Sequence, residues 1–206
     1  SSTPTGACYK KRKEMKMNMY LVKPPEKEMI SLEEGKNYLR VDHDFDDDCL
    51  TSLIRSTREA LETVIQKSVL RQTLKYIING NFFLREKYVS FCGNTVIIPL
   101  PKPPIIKIVS VTLDGKKIDD EKYCFEKSDS TLILNMRMDC KKPRTLEVIY
   151  EAGIAEDCKD IPYQLKLANL MLLANAYQER YSHKNDDIFS KGVRRLLSPF
   201  LNLKLY

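Results

Sequence analysis

Ser31-Leu-Glu-Glu-Gly-Lys-Asn-Tyr-Leu-Arg-Val-Asp42 runs through the acidic stretch His43-Asp-Phe-Asp-Asp-Asp48 into Cys49–Ile65. Ser31 and Glu34 form a capping-box pattern, in which each side chain satisfies a backbone amide at the helix start. They predict a short helix ending near Leu39. A second helix is expected from about Asp46 to Lys67, because Leu50, Leu53, Ile54, Thr57, Leu61, Val64 and Ile65 recur at three- and four-residue spacing, with Ala60 widening the stripe. From Val69 the period changes. Leu70–Ile78, Thr95–Leu100, Ile105–Leu113, Tyr123–Glu126, Thr131–Met136 and Thr145–Glu151 are short and rich in β-branched or aromatic residues. Asn79-Gly80, Gly93-Asn94 and Asp114-Gly115 are turn signals, the last a hairpin candidate. The proline run Pro99–Pro104 places a corner or an edge there.

Helix returns at Pro162, a residue suited to a first helical turn. The segment Leu165–Tyr177 is apolar nearly all round and must be covered on several sides. The expected fold class is therefore α+β: a bundle of N-terminal and C-terminal helices with an inserted small, mainly antiparallel β region. In residue terms, 1–20 form a mobile basic leader and 21–206 a single domain. Its helical parts are 29–68 and 162–198, its β insert is 69–151, and its C-terminal arm is 192–206.

The 206 residues are 43% apolar, enough for one sizeable core. No apolar run approaches the roughly 20 residues that span a bilayer, and the amino terminus lacks the apolar centre of a signal peptide. The six cysteines contain no C-x-x-C pair and are expected to be free thiols. The net charge of +6 is uneven, with +4 in residues 1–16, +4 in residues 191–206 and −2 on the rest. A basic body would suggest a nucleic-acid groove, whereas basic ends on a near-neutral body suggest tails that meet an acidic partner or DNA.

Catalytic chemistry finds little support. Asp42–Asp48 resembles a calcium loop at first sight, but Asp47 stands where glycine is needed and Leu53 where a bidentate glutamate is needed. Those acids are expected to complement the dipole of the second helix and cap its amides. His43 and His183 are far apart and belong to no catalytic pattern. The chain has no phosphate-loop or nucleophile-elbow motif. Glu33, Glu34, Glu59 and Glu62 fit exposed helix faces. No catalytic residue, metal ligand or cofactor is expected. Between Asn79 and Asn94, Phe82, Phe83, Arg85 and Tyr88 form the best local candidate for base stacking or for anchoring a partner. The favoured reading is a β-edge loop whose aromatics pack inward.

The order of these segments resembles phage head–tail connector (adaptor) proteins of tailed phages, prophages and gene transfer agents. Pro24-Pro25, Ile30–Glu34 and Tyr38–Asp42 resemble the family's opening, followed by Leu50-x-x-Leu53-Ile54-x-x-x-Arg58-x-x-Leu61-Glu62 and Gln72-Thr73. Further matches are Ile98–Pro101, Pro104-Ile105, Val148-x-Tyr150-x-Ala152-Gly153, Ile161-Pro162, Ala174-x-x-Tyr177 and Gly192-Val193-x-x-Leu196-Leu197-x-Pro199. Gly35 departs from the alanine usual there, at a cost of about 1 kcal/mol in helix propensity.

The resemblance implies a non-catalytic virion protein of the neck, assembled in the bacterial cytoplasm. It implies a ring, commonly of twelve subunits, beneath the portal, extending the DNA channel toward stopper or tail-completion proteins. DNA would pass through non-specifically. On this reading Arg194, Arg195, Leu196, Leu197, Phe200 and Leu203 are candidate portal-docking residues, with Leu205 extending the apolar arm. Leu50, Leu53, Ile54, Leu61, Leu165, Leu172 and Tyr177 are candidates for core and subunit interface. Alternatives are another neck ring component, such as a stopper or tail terminator, or a DNA-binding module.

Overall fold

The computed structural model describes residues 17–80, 90–92, 95–135, 144–180 and 189–201. The helices are α1 (Leu32–Leu39), α2 (Asp47–Ile65), α3 (Tyr163–Glu179) and α4 (Lys191–Leu197). The strands are β1 (Met17–Lys23), β2 (Gln72–Gly80), β3 (Ser90–Cys92), β4 (Thr95–Pro99), β5 (Ile105–Leu113), β6 (Lys116–Lys117), β7 (Tyr123–Glu126), β8 (Thr131–Asn135) and β9 (Arg144–Ala152). The α+β class and the β region between two helical parts agree with the sequence reading.

The expected capping box is present. Ser31 Oγ accepts from the Glu34 amide at 3.0 Å, and Glu34 Oε2 accepts from the Ser31 amide at 2.8 Å. α1 closes on α2 and α3 at Gly35, where an added Cβ would lie 3.2 Å from Leu173 Cδ2 and 3.4 Å from Ile54 Cδ1. Close packing accounts for the glycine. α2 ends at Ile65, two residues earlier than expected, where its cap residue Gln66 adopts the left-handed conformation.

The strands form two antiparallel sheets, ordered β1-β2-β9-β5-β6 and β3-β4-β8-β7. Their facing sides share one core built from alternate residues, including Leu74, Tyr76 and Ile78, Val96 and Ile98, Leu132 and Leu134, and Leu146, Val148 and Tyr150. Asp114-Gly115 makes the expected tight turn between β5 and β6, with φ of 52° and 78°. The proline run crosses from β4 in one sheet to β5 in the other, and Tyr150 Oη anchors it by donating to the Pro101 carbonyl at 2.8 Å.

The helical core is separate. Leu61 and Ile65 of α2, Leu165, Ala168 and Leu172 of α3, and Val193 and Leu197 of α4 pack with Met29, Val69 and Leu70. A smaller group, Ile30, Ile54 and Leu173, closes under α1. The all-round apolar α3 is therefore the central helix, covered by α1, α2 and α4 of its own subunit.

One boundary differs from expectation. The expected leader runs through residue 20, whereas β1 begins at Met17 and pairs antiparallel with β2, Met19 opposite Tyr76 and Leu21 opposite Leu74. Tyr20, Leu21 and Val22 favour a strand, and a strand too short to form alone gains a ladder from β2.

Gly153 sits where β9 returns to the helical part. A Cβ there would lie 2.6 Å from the Arg71 amide nitrogen and 2.7 Å from its Cα. Backbone cannot yield as a flexible side chain does, so Gly153→Ala is expected to lower unfolding free energy by at least about 2 kcal/mol, read by urea denaturation.

Candidate assembly surfaces

The helical part and the sandwich meet at a buried charge cluster. Arg58 and Glu62, one turn apart on α2, are each only 1% exposed. They share the helix face of Ile54, Leu61 and Ile65, so packing that stripe takes both charges out of water. Arg58 Nη1 lies 3.3 Å from Glu62 Oε2, and Arg58 Nε donates to Glu28 Oε2 at 2.6 Å. Glu62 also accepts from the Val69 amide at 2.9 Å and from Gln72 Nε2 at 3.0 Å, with Lys102 Nζ 3.7 Å away. The expectation that Glu62 lies on an exposed face is therefore overturned. Glu33, Glu34 and Glu59 are exposed as expected.

The acidic stretch ties three helices together. Lys36 Nζ bridges Asp44 at 2.6 Å and Asp47 at 2.8 Å. Asp46 occupies the cap position of α2 but makes no cap hydrogen bond. Its carboxylate instead accepts from Tyr177 Oη at 2.6 Å and lies 3.4 Å from both terminal nitrogens of Arg180. The expected cap is thus a tether from α2 to the end of α3, while Asp47 and Asp48 complement the helix dipole. The Tyr177 hydroxyl, followed by Arg180, holds the Asp46 carboxyl below its ordinary range. Among the described residues no group of three histidine, cysteine or acidic side chains is placed to hold a metal. Cys49, Cys124 and Cys158 are free thiols.

Two clefts are lined largely by charged residues. One, of about 340 Å³, is lined by Lys23, Glu26, Arg71, Gln72, Glu151 and Glu156. Its charges compensate one another: Arg71 pairs with Glu151 and Glu156, Lys107 pairs with Glu151, and Lys23 pairs with Glu26. The other, of about 310 Å³, is lined by Leu113, Ile118, Lys116, Lys117 and Lys122, with Arg144 paired to Asp114 at 3.1 Å. Neither juxtaposes a nucleophile and a base.

Most sequence-nominated interface residues lie in the subunit's own core. Leu50, Ile54, Leu61, Leu165 and Leu172 are buried, Leu53 is half-buried, and Tyr177 is engaged by Asp46. In the nominated docking arm, Leu197 is fully buried, and Leu196 and Phe200 pack on the helical core. These apolar side chains are already in use, because α4 covers α3. Arg194 and Arg195 are exposed. Phe82, Phe83, Arg85, Tyr88, Leu203 and Leu205 lie outside the residues whose side chains are described.

Exposed apolar side chains were not foreseen. Phe45 is 96% exposed on the acidic loop, its ring 5.7 Å from that of His43. Met19, Tyr20, Leu21 and Val22 are exposed along β1, as are Ile106 and Val109 on β5. The signal available for β1 was its uncharged run Met17–Val22.

The Asp46 tether gives a pH dependence. Its folded carboxyl titrates below the unfolded value of about 3.9, so its stabilisation is present above that value and lost as pH falls through the lower folded one. Asp46→Asn is expected to lower stability at neutral pH and to flatten the acid limb below about pH 4, as measured by thermal melts across pH.

Residues 29–86 match the model of the phage gp6-like head-tail connector protein family. No curated protein sequence matches the chain. Among solved structures, a chain in the neck of an empty gene transfer agent particle, determined with C6 symmetry, aligns with a TM-score of 0.69 at 16% identity, over 92% of this chain and 97% of that one. A chain of the native gene transfer agent virion aligns with a TM-score of 0.64 at 16% identity, over 91% and 97%. A chain in the native neck, determined with C12 symmetry, aligns at 0.57 and 15% identity, over 87% and 96%. The resemblance read from the sequence is borne out over residues 29–86, which match the phage gp6-like head–tail connector family across α1, α2 and β2, and the chain shares the fold of the neck chains along most of its length.

Proposed function

We propose that the chain is a non-catalytic structural subunit of the virion neck, forming a ring between the portal and the tail-side proteins and leaving DNA a channel. The carrying observation is the coincidence of the connector-family match over residues 29–86 with near-complete structural alignment to chains of a particle neck. The polar side chains described above support this reading, because they are committed to holding elements together. Arg58, Glu62, Lys36 and Asp46 all bind partners inside the subunit. A helical part joined rigidly to a sandwich suits a spacer between two other rings.

On this reading the portal is met by the C-terminal region through charge. Arg194 and Arg195 project from α4, and arginine pairs bidentately with carboxylates. The buried Leu197 and packed Phe200 serve as the base that positions α4. DNA contact in the channel is expected to be weak and salt-sensitive.

Mass measurement of the purified chain, alone and mixed with the portal from the same genome, tests the function. Capture by the portal, or ring-sized assembly, is expected. A monomer that ignores the portal and binds short DNA tightly at moderate salt would overturn the proposal in favour of a DNA-binding module. Reversing both charges in Arg194→Glu/Arg195→Glu is expected to weaken portal capture at least tenfold while leaving the circular dichroism spectrum unchanged.

A further inference from the structure

The five-stranded sheet has two open edges that fit each other. β1 pairs only with β2 among the described strands. On the other side, β6 covers β5 only at Thr112 and Leu113, so among the described residues Ile105–Ser110 has no strand neighbour there. Edge strands are normally blunted by charge, proline or shortness. β1 is seven residues long and carries no charge before Lys23. Its residues alternate between the two faces of the sheet, Leu21 with the core-facing Leu74 and Tyr20 with Lys75, yet Met19, Tyr20, Leu21 and Val22 are all exposed. Apolar side chains on both faces are the pattern of a strand covered on both faces.

The opposite edge answers it. β5 meets β9 with two irregularities, and the residues left out of register include Ile106 and Val109. Those two carry the exposed large apolar side chains of β5. A bulge re-aims side chains, and here it turns apolar ones to solvent.

Height and direction also agree. Followed across the ladder, Leu21 is level with Leu74, Tyr150 and Ile108, while Tyr20 is level with Lys75, Ile149 and Ser110. The exposed parts of β1 and β5 therefore lie at one height on opposite edges. Three antiparallel steps separate them, so β1 and β5 run in opposite directions. A second copy displaced sideways without inversion brings its β1 antiparallel to β5 of the first. Charge is compatible: at that height one edge ends in the Lys23–Glu26 pair and the other in the Lys107–Glu151 pair. Glu26, paired with Lys23 at 3.0 Å, is 81% exposed, and Lys107 on the other edge is 56% exposed.

Resting on the ring reading above, we infer that the subunits join head to tail through the sheet, β1 of one copy lying along the Ile105–Ser110 edge of the next. The contact is heterologous, so repeating it closes a ring when the rotation permits. It also hides the unprotected edge.

Val22 and Val109 are 52% and 48% exposed, so charges there leave the fold intact. Val22→Lys and Val109→Glu are each expected to raise at least tenfold the concentration needed for ring assembly, with or without the portal. The double variant, which brings lysine and glutamate diagonally close across every contact, should recover part of it. Native mass spectrometry reads the assemblies, and circular dichroism checks the fold. Rings unchanged in either single variant, or not recovered in the double variant, would overturn the inference. A wild-type chain that binds the portal only as separate copies, or through β1, keeps the functional reading and defeats this contact. A wild-type chain that neither assembles nor binds defeats both.

Discussion

Two charges removed from water, Arg58 and Glu62, constrain the rest of this structure. Packing the apolar stripe of α2 forces both into the interior, where an uncompensated ion costs several kcal/mol. Compensation comes from separate parts of the chain: Glu28 from the entry segment, the Val69 amide from the helix–strand link, Gln72 from β2 and Lys102 from the proline corner. Each partner must be in place for the others to remain satisfied. The cluster thereby fixes how the helices stand on the sandwich, and apolar burial alone would not fix that, because it is non-directional.

A second tether works at the far end of α2. Asp46 holds Tyr177 and Arg180, and Lys36 holds Asp44 and Asp47. These contacts are more exposed and contribute less each, but they set the α1–α2–α3 angles where the core is thin. With both ends of α2 secured, α3 can be apolar nearly all round without presenting a sticky face. The remaining apolar exposure lies at the sheet edges, on Phe45, and on Tyr38 and Tyr163 of α1 and α3.

Local signals made much of the architecture legible. The capping box at Ser31, the stripe from Leu50 to Ile65, the Asp114-Gly115 turn and Pro162 all act within a few residues, and each element stands close to where they indicate. What periodicity could have shown and did not was the burial of Glu62, since positions 54, 58, 61, 62 and 65 form one face. A glutamate was read as exposed by residue type, although its i,i+4 arginine and the apolar residues beside it marked an ion pair inside the stripe. β1 was missed because its ladder depends on β2, about fifty residues onward. The packing of Leu197 and Phe200 on the helical core was not legible for a similar reason: whether they face a partner or α3 is decided by tertiary packing, which an amphipathic short segment does not record.

On the proposed reading the molecule is a rigid spacer whose chemistry lies in its contacts. Cryo-electron microscopy of the full chain mixed with the portal from the same genome tests this most directly. A closed ring seated coaxially on the portal, its subunits keeping the helix–sandwich geometry set by Arg58 and Glu62, is the predicted result. Portal particles carrying no added ring, with the chain bound instead along DNA, would contradict it.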